Sequence, residues 1–167
     1  KYTPSCKLRF DRYFNYFKNR SFSGVLLKNL KRFEYEPSDD FEMHILCQKS
    51  DVWMAIWAIL SFLFYSDLKP RAILIHDDGS IDPELAKVFE SKISNLKVIP
   101  RKAADQIILD KMNLRGKVRE YRRSGFPLIL KLLDSILLSD SKIILVADAD
   151  ILFFSKAEEI KNFIRGG

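Results

Sequence analysis

Asp148-Ala149-Asp150 sets two carboxylates one residue apart at the end of the apolar run Ile143-Ile144-Leu145-Val146-Ala147. Hard oxygen ligands of this kind suit Mg²⁺ or Mn²⁺, ions that leave coordination positions for the phosphates of a substrate. A run of Ile, Leu and Val between Lys142 and the acid pair has the pattern of a buried parallel strand, which puts the carboxylates at its C-terminal end. In open α/β sheets ligands bind at that edge. A second acidic turn, His76-Asp77-Asp78-Gly79-Ser80, follows the apolar run Ala72-Ile73-Leu74-Ile75 and faces the same expected edge. Gly79 permits a sharp turn, and Asp77 or Asp78 can accept hydrogen bonds from a ribose or from the N–H of a base. The local alternative is that these acids only close a turn and cap the next helix.

The elements that must position these groups follow from periodicity. Phe41 to Cys47 is expected as the first strand, and Ser50 can cap the helix that follows it. That helix, whose apolar core runs from Val52 to Tyr65, should stop before Pro70. Its apolar stretch is shorter than the roughly 18 to 20 residues a bilayer span needs, so a buried helix is the reading, with Trp53 and Trp57 in the core. After the strand Ala72 to Ile75, Asp82-Pro83 pairs an N-cap with a first helical position. A short third strand, Leu96 to Ile99, halts at Pro100. A helix over Ala103 to Leu114 should follow, then a basic connection from Arg115-Gly116 to Gly125. Phe126 to Leu138 is a strongly apolar helix with Lys131, Asp134 and Ser135 on a narrow polar stripe. The strand carrying the acid pair comes next, then a short helix from Lys156 to Ile164. The order β-α-β-α-β-α-α-β predicts an α/β fold: a Rossmann-like, mostly parallel sheet flanked by helices.

Residues 1–40 mix aromatic and basic side chains. Phe10, Tyr13, Phe14 and Phe17 recur at helical spacing, which suits an amphipathic helix lying on the main body, on a partner or on a membrane surface. The domain proper is expected from residue 41 to 167. At 167 residues and 47% hydrophobic composition there is material for one core rather than two. A start at Lys1 and an end at Gly166-Gly167, soon after the acid pair, fit an excised segment that is incomplete at its C-terminus.

A net charge of +6 favours anionic partners but falls short of the dense basic patches of nucleic-acid binders. Lys111, Arg115, Lys117, Arg119, Arg122 and Arg123 cluster in one segment that can steer a phosphate-bearing substrate or rest near anionic lipid headgroups. Cys6 and Cys47 are too few for a disulfide framework or a zinc site, so a reducing, cytoplasmic setting is expected. His44 and His76 stand on strands without a spaced partner of ligand type and are taken as structural. Lys131, on an otherwise apolar helix leading into the acidic strand, can reach a phosphate, pair with Asp134, or extend along the surface.

From Phe41 onward, this arrangement resembles the nucleotide-binding half of glycosyltransferases with the GT-A fold. The shared features are an opening strand, a long helix, a second strand ending in Asp77-Asp78-Gly79-Ser80, and a later strand ending in a DXD motif, Asp148-Ala149-Asp150. The resemblance implies a nucleotide-diphosphate sugar, UDP- or GDP-linked, as donor. It implies that Asp150 coordinates Mn²⁺ or Mg²⁺ and that Asp148 shares the metal or binds the donor's ribose. The metal would neutralise the diphosphate leaving group as a Lewis acid. Asp78 or Asp77 would contact the nucleoside, as would Cys47, Gln48 and Ser50. Arg101 would lie near the base or a phosphate, with a solvated loop cation as its alternative. Because the resemblance ends soon after DXD, the acceptor-binding half and the catalytic base would lie outside the chain. A lipid-linked acceptor would bring the domain to the membrane face as a peripheral protein.

Three other readings compete. A sugar nucleotidyltransferase would need a Gly-rich phosphate loop after the first strand, where Gln48-Lys49-Ser50 has no Gly. A phosphatase of the haloacid-dehalogenase type expects Gly-Thr after its acids, whereas Ile151-Leu152 stands here. A noncatalytic α/β interaction module, or a donor-binding remnant, would use the acids only as caps and turns.

Overall fold

In a computed structural model, residues 29–111 and 116–166 are described. The chain divides into two compact units, Lys1–Lys31 and Arg32–Gly167, so the expected aromatic helix at Phe10 to Phe17 lies outside the described residues. The larger unit contains β1 (Asp39–Cys47), α1 (Val52–Tyr65), β2 (Pro70–Asp77), α2 (Pro83–Glu90), β3 (Leu96–Ile99), α3 (Arg101–Lys111), α4 (Lys117–Ser124), α5 (Pro127–Leu137), β4 (Ile144–Ala147) and α6 (Glu158–Gly166). Its strands form one sheet in the order β3-β2-β1-β4, with every pairing parallel. The fold is therefore α/β and Rossmann-like. Strand order reverses between β1 and β4, and a crevice opens at such a reversal, beyond the C-terminal ends of the strands.

The two faces of the sheet differ in chemistry because side chains alternate along each strand. On one face Phe41, Met43, Ile45, Ile73 and Ile75 are fully buried. Phe62 of α1 meets Phe41 edge-on, ring centroids 6.3 Å apart, and closes that side. The other face carries Glu42, His44 and His76, all buried, and α5 lies over it.

Local signals explain most boundaries. Asp82 caps α2 by accepting from Leu85 N–H at 2.9 Å, with Pro83 in the first turn, as its sequence predicts. Ser50 does not cap α1; it sits in a 3₁₀ turn, Lys49–Asp51, and its hydroxyl donates to Asp51. The expected connection between Arg115 and Gly125 is a helix over most of its length. Lys and Arg are good helix formers, and Gly125, in the left-handed region at φ 77°, ends α4 where a side chain would be strained. Asp39 and Asp40 belong to β1, and Phe33 bridges to Ile93, so the α/β unit starts before residue 41.

One expectation about burial is corrected, and one orientation that the residues left open is decided. β4 pairs only with β1 among the described residues, and Val146 is 40% exposed, so this is an edge strand rather than a buried one. The polar stripe of α5 faces inward: Asp134 and Ser135 are buried against the sheet, while Leu128, Leu132 and Ile136 face solvent. No helix among the described residues is long and apolar enough to cross a membrane.

Candidate functional site

The loops after β1 and β2 are tied into one rim. Lys49 N–H donates to Ser80 Oγ at 2.8 Å, Lys49 Nζ to Asp82 at 2.7 Å, and Asp78 N–H to the Cys47 carbonyl at 3.2 Å. Gln48 donates to Asp51 at 2.7 Å, which orients both side chains. Leu46, Gln48, Asp51 and Asp78 form one wall of a crevice of about 370 Å³, and Ser124, Gly125, Pro127 and Leu130 form the other. The start of α5 thus lies opposite the ends of β1 and β2.

Within this rim the predicted residues divide by what their polar atoms already do. Asp77 is buried, with one oxygen accepting from Gly79 N–H at 2.8 Å and Ile81 N–H at 2.9 Å. It holds the turn, in which Gly79 takes φ 107°. Asp78 accepts from both the N–H and the hydroxyl of Ser80 through Oδ1, and it lines the crevice. Cys47 is buried and its thiol donates to the Gln48 carbonyl; burial, aided by Asp51, Asp78 and Asp77, pushes it up to about 12. Its side chain is structural, and its carbonyl fixes Asp78. Ser50 is occupied with Asp51.

Arg101 is not a solvated loop cation. Its Nε donates to both oxygens of Asp105 at 2.8 and 2.9 Å, and its terminal nitrogen donates to the Arg122 carbonyl at 2.5 Å. Its aliphatic stem lies next to Gly79, where a Cβ would come within 3.7 Å of Arg101 Cγ. Arg101 therefore braces the β2 turn against α3 and α4.

At β4, Lys131 Nζ pairs directly with Asp148 Oδ1, not with Asp134. Asp134 is committed to Arg122 instead, at 2.9 Å. Asp148 is 65% exposed, and Oδ1 is the oxygen that Lys131 occupies. Asp150 is exposed and makes no hydrogen bond or ion pair among the described residues. A divalent ion needs only one or two protein carboxylates when phosphates and water complete its octahedron, so this donor set fits Mg²⁺ or Mn²⁺ with a phosphorylated ligand. No cluster of three metal-ligating side chains occurs among the described residues, so a protein-only cage is not formed there.

Compared with protein-family models and with curated proteins, the chain matches none.

Three features were not foreseen from the residues alone. Asp51, next to the named Gln48 and Ser50, is a crevice carboxylate, and its place in the loop after β1 was the available signal. Trp53 and Trp57 are not core residues; with Met54, Leu60, Phe64 and Ile151 they line an apolar pocket of about 650 Å³ that has Asp150 at its rim. His44 and His76 are in contact, Nδ1 of the first 2.9 Å from Nε2 of the second. They sit diagonally on adjacent strands, since His44 is level with Leu74 and His76 with Leu46, a register that sequence spacing does not reveal.

Proposed function

We propose that this chain is the donor-binding portion of a metal-dependent glycosyltransferase that uses a nucleotide-diphosphate sugar. The observation that carries the reading is that the acid pair after β4 and the polar crevice after β1 and β2 share one sheet edge, at the reversal of strand order. Asp148 and Asp150 would hold Mn²⁺ or Mg²⁺, which when bound supplies Lewis-acid neutralisation of the diphosphate leaving group. Asp78, Asp51 and Gln48 offer acceptors and a donor to the nucleoside. Lys131 keeps a cation on the carboxylate side of the site, where it can exchange Asp148 for a phosphate oxygen.

Calorimetry with UDP and with GDP, each with and without Mn²⁺, tests the reading. Expected is binding that requires Mn²⁺ and weakens at least tenfold in Asp148→Ala and Asp150→Ala, a loss of about 1.4 kcal/mol or more. No binding, or binding indifferent to both substitutions, would sink it.

Lys131→Met separates the two roles of that lysine. Without its competitor for Asp148, Mn²⁺ alone should bind several-fold more tightly, while Mn²⁺-dependent UDP binding should weaken several-fold. Unchanged affinities for both would make the pair an ordinary surface contact.

The reading as an interaction module has one observation in its favour. Leu128, Leu132 and Ile136 form an exposed apolar stripe along α5. Partner binding lost on changing that stripe to Ser, with no nucleotide or metal binding, would select it.

A further inference from the structure

Glu42, His44, His76 and Asp134 form a continuous line of titratable groups beneath α5, each at least nine-tenths buried. His44 Nε2 lies 3.4 Å from Glu42 Oε2, His44 Nδ1 lies 2.9 Å from His76 Nε2, and His76 Nδ1 lies 3.8 Å from Asp134 Oδ2. These three gaps have room for three protons, and two neutral imidazoles bring two.

The Glu42 end decides where the two protons sit. Burial alone would raise Glu42, but hydrogen bonds from Ser139, Arg71 and the Asp140 N–H hold it below the usual carboxylate range, so it is ionised at neutral pH. A bare ring nitrogen facing that anion is repulsive, which assigns the His44 proton to Nε2. Neutral His44 then has a bare Nδ1, which must accept from His76 Nε2–H. His76 is left with a bare Nδ1 facing Asp134, and that gap is the longest of the three.

The other groups around the line are accounted for. Arg122 of α4 is 2.9 Å from Asp134 Oδ1 and 3.0 Å from Asp105 of α3, and Arg101 also holds Asp105. Arg71 of β2 is 2.7 Å from Glu42, with Asp40 and Asp140 acting on it from outside. Val146 of β4 is level with His44, and Ile99 of β3 with His76, and neither titrates.

We propose that this line is a proton store built into the sheet, holding two protons at neutral pH and taking a third on acidification into the gap between His76 and Asp134. The proton comes from solvent water, and the gap it enters becomes one hydrogen bond; no other bond is made or broken. Burial pushes Asp134 up to about 6 against the pull of Arg122, while burial, helped by His44 and Arg122, pulls His76 down to about 3. Burial also lowers His44, against the opposing pull of Glu42. The third proton therefore resides on the carboxyl and is donated to His76 Nδ1. This device is independent of the nucleotide-sugar reading.

The chain has only two histidines, so long-range ¹H–¹⁵N correlation of their rings reports the whole device, with His44→Gln assigning the signals. Expected at pH 7.5 are two neutral rings, both protonated at Nε2. Between pH 7 and 5 the His76 Nδ1 signal should move through one step centred near the Asp134 midpoint of about 6, with the tautomers unchanged. Asp134→Asn carries an N–H where the carboxyl proton would sit, and should abolish the step while leaving the circular dichroism unchanged. Rings that titrate separately near the ordinary histidine value, a His76 protonated at Nδ1 at neutral pH, or a step that survives in Asp134→Asn would each overturn the proposal. If Asp134→Asn does not fold, the tautomers and the midpoint of the unaltered protein decide the matter.

Discussion

Replacing Arg122 with Ala is expected to destabilise the fold by about 3–5 kcal/mol, the range for breaking a buried ion pair from one side. The guanidinium is fully buried, 2.9 Å from Asp134 and 3.0 Å from Asp105. Asp105 keeps Arg101 as a partner, but Asp134 has no second cation within ion-pair distance among the described residues. The substitution leaves the buried Asp134 carboxyl without the cation that offsets its burial, whether it stays ionised or takes up a proton. Urea unfolding at pH 7.5 measures the loss. The double variant Arg122→Met with Asp134→Leu should recover most of it, because exchanging a whole buried pair for apolar groups is often neutral. A cost below about 1 kcal/mol for the single variant would mean that water reaches Asp134 and that this region is less enclosed than its accessibility indicates.

Acid should weaken the fold from about pH 6.5 downward, well before ordinary carboxylates titrate. In the unfolded chain His44 and His76 each take a proton around their ordinary value of 6.5, whereas in the fold both are depressed, His76 to about 3. Asp134 works in the opposite sense: it is raised to about 6 in the fold from 3.8, so the folded state gains a proton there first. The fold thus resists protonation at both histidines and favours it at Asp134, so the folded state binds fewer protons than the unfolded chain while His44 stays depressed. Stability then falls as pH drops below about 6.5, by at most about 1.4 kcal/mol for each pH unit. Below Asp134's ordinary value the unfolded state gains a third proton and the slope steepens. Asp39 and Glu42 add to the loss there: burial alone would raise both, but hydrogen bonds from Arg165 and Lys69 and from Ser139 and Arg71 hold them low. Asp134→Asn removes the compensating uptake, so its stability should fall more steeply with acid than that of the unaltered protein. Urea midpoints across this range test the prediction, and a stability that stays level from pH 7 to pH 4.5 would falsify it.

Both effects arise from a network that was hard to see in the residues. Lys131, Asp134 and Ser135 were legible as a polar stripe, but a stripe on an apolar helix gives no sign of which face meets the sheet. Here the buried face of β1 and β2 carries Glu42, His44 and His76, so the polar side of α5 turns inward and its leucines turn out. The same exchange of partners frees Lys131 for Asp148. Helix α4 was missed because a dense basic run suggests a loop until Arg122 finds acids on two other helices to hold it.

What the sequence by itself determined is the local order. The β1 to β4 runs, the Asp82-Pro83 cap, the turn at Gly79 and the acids placed at strand ends all depend on neighbours a few residues away, where periodicity and backbone sterics act directly. Only the tertiary structure decided the strand order β3-β2-β1-β4, the diagonal register that joins His44 to His76, and the division of Asp148 and Asp150 between a lysine and an open rim. Those depend on contacts between groups far apart in the chain, such as Ser139 with Glu42 and Arg165 with Asp39. Such pairings are selected by the free energy of burying polar and charged groups together, a quantity that no short stretch of residues contains.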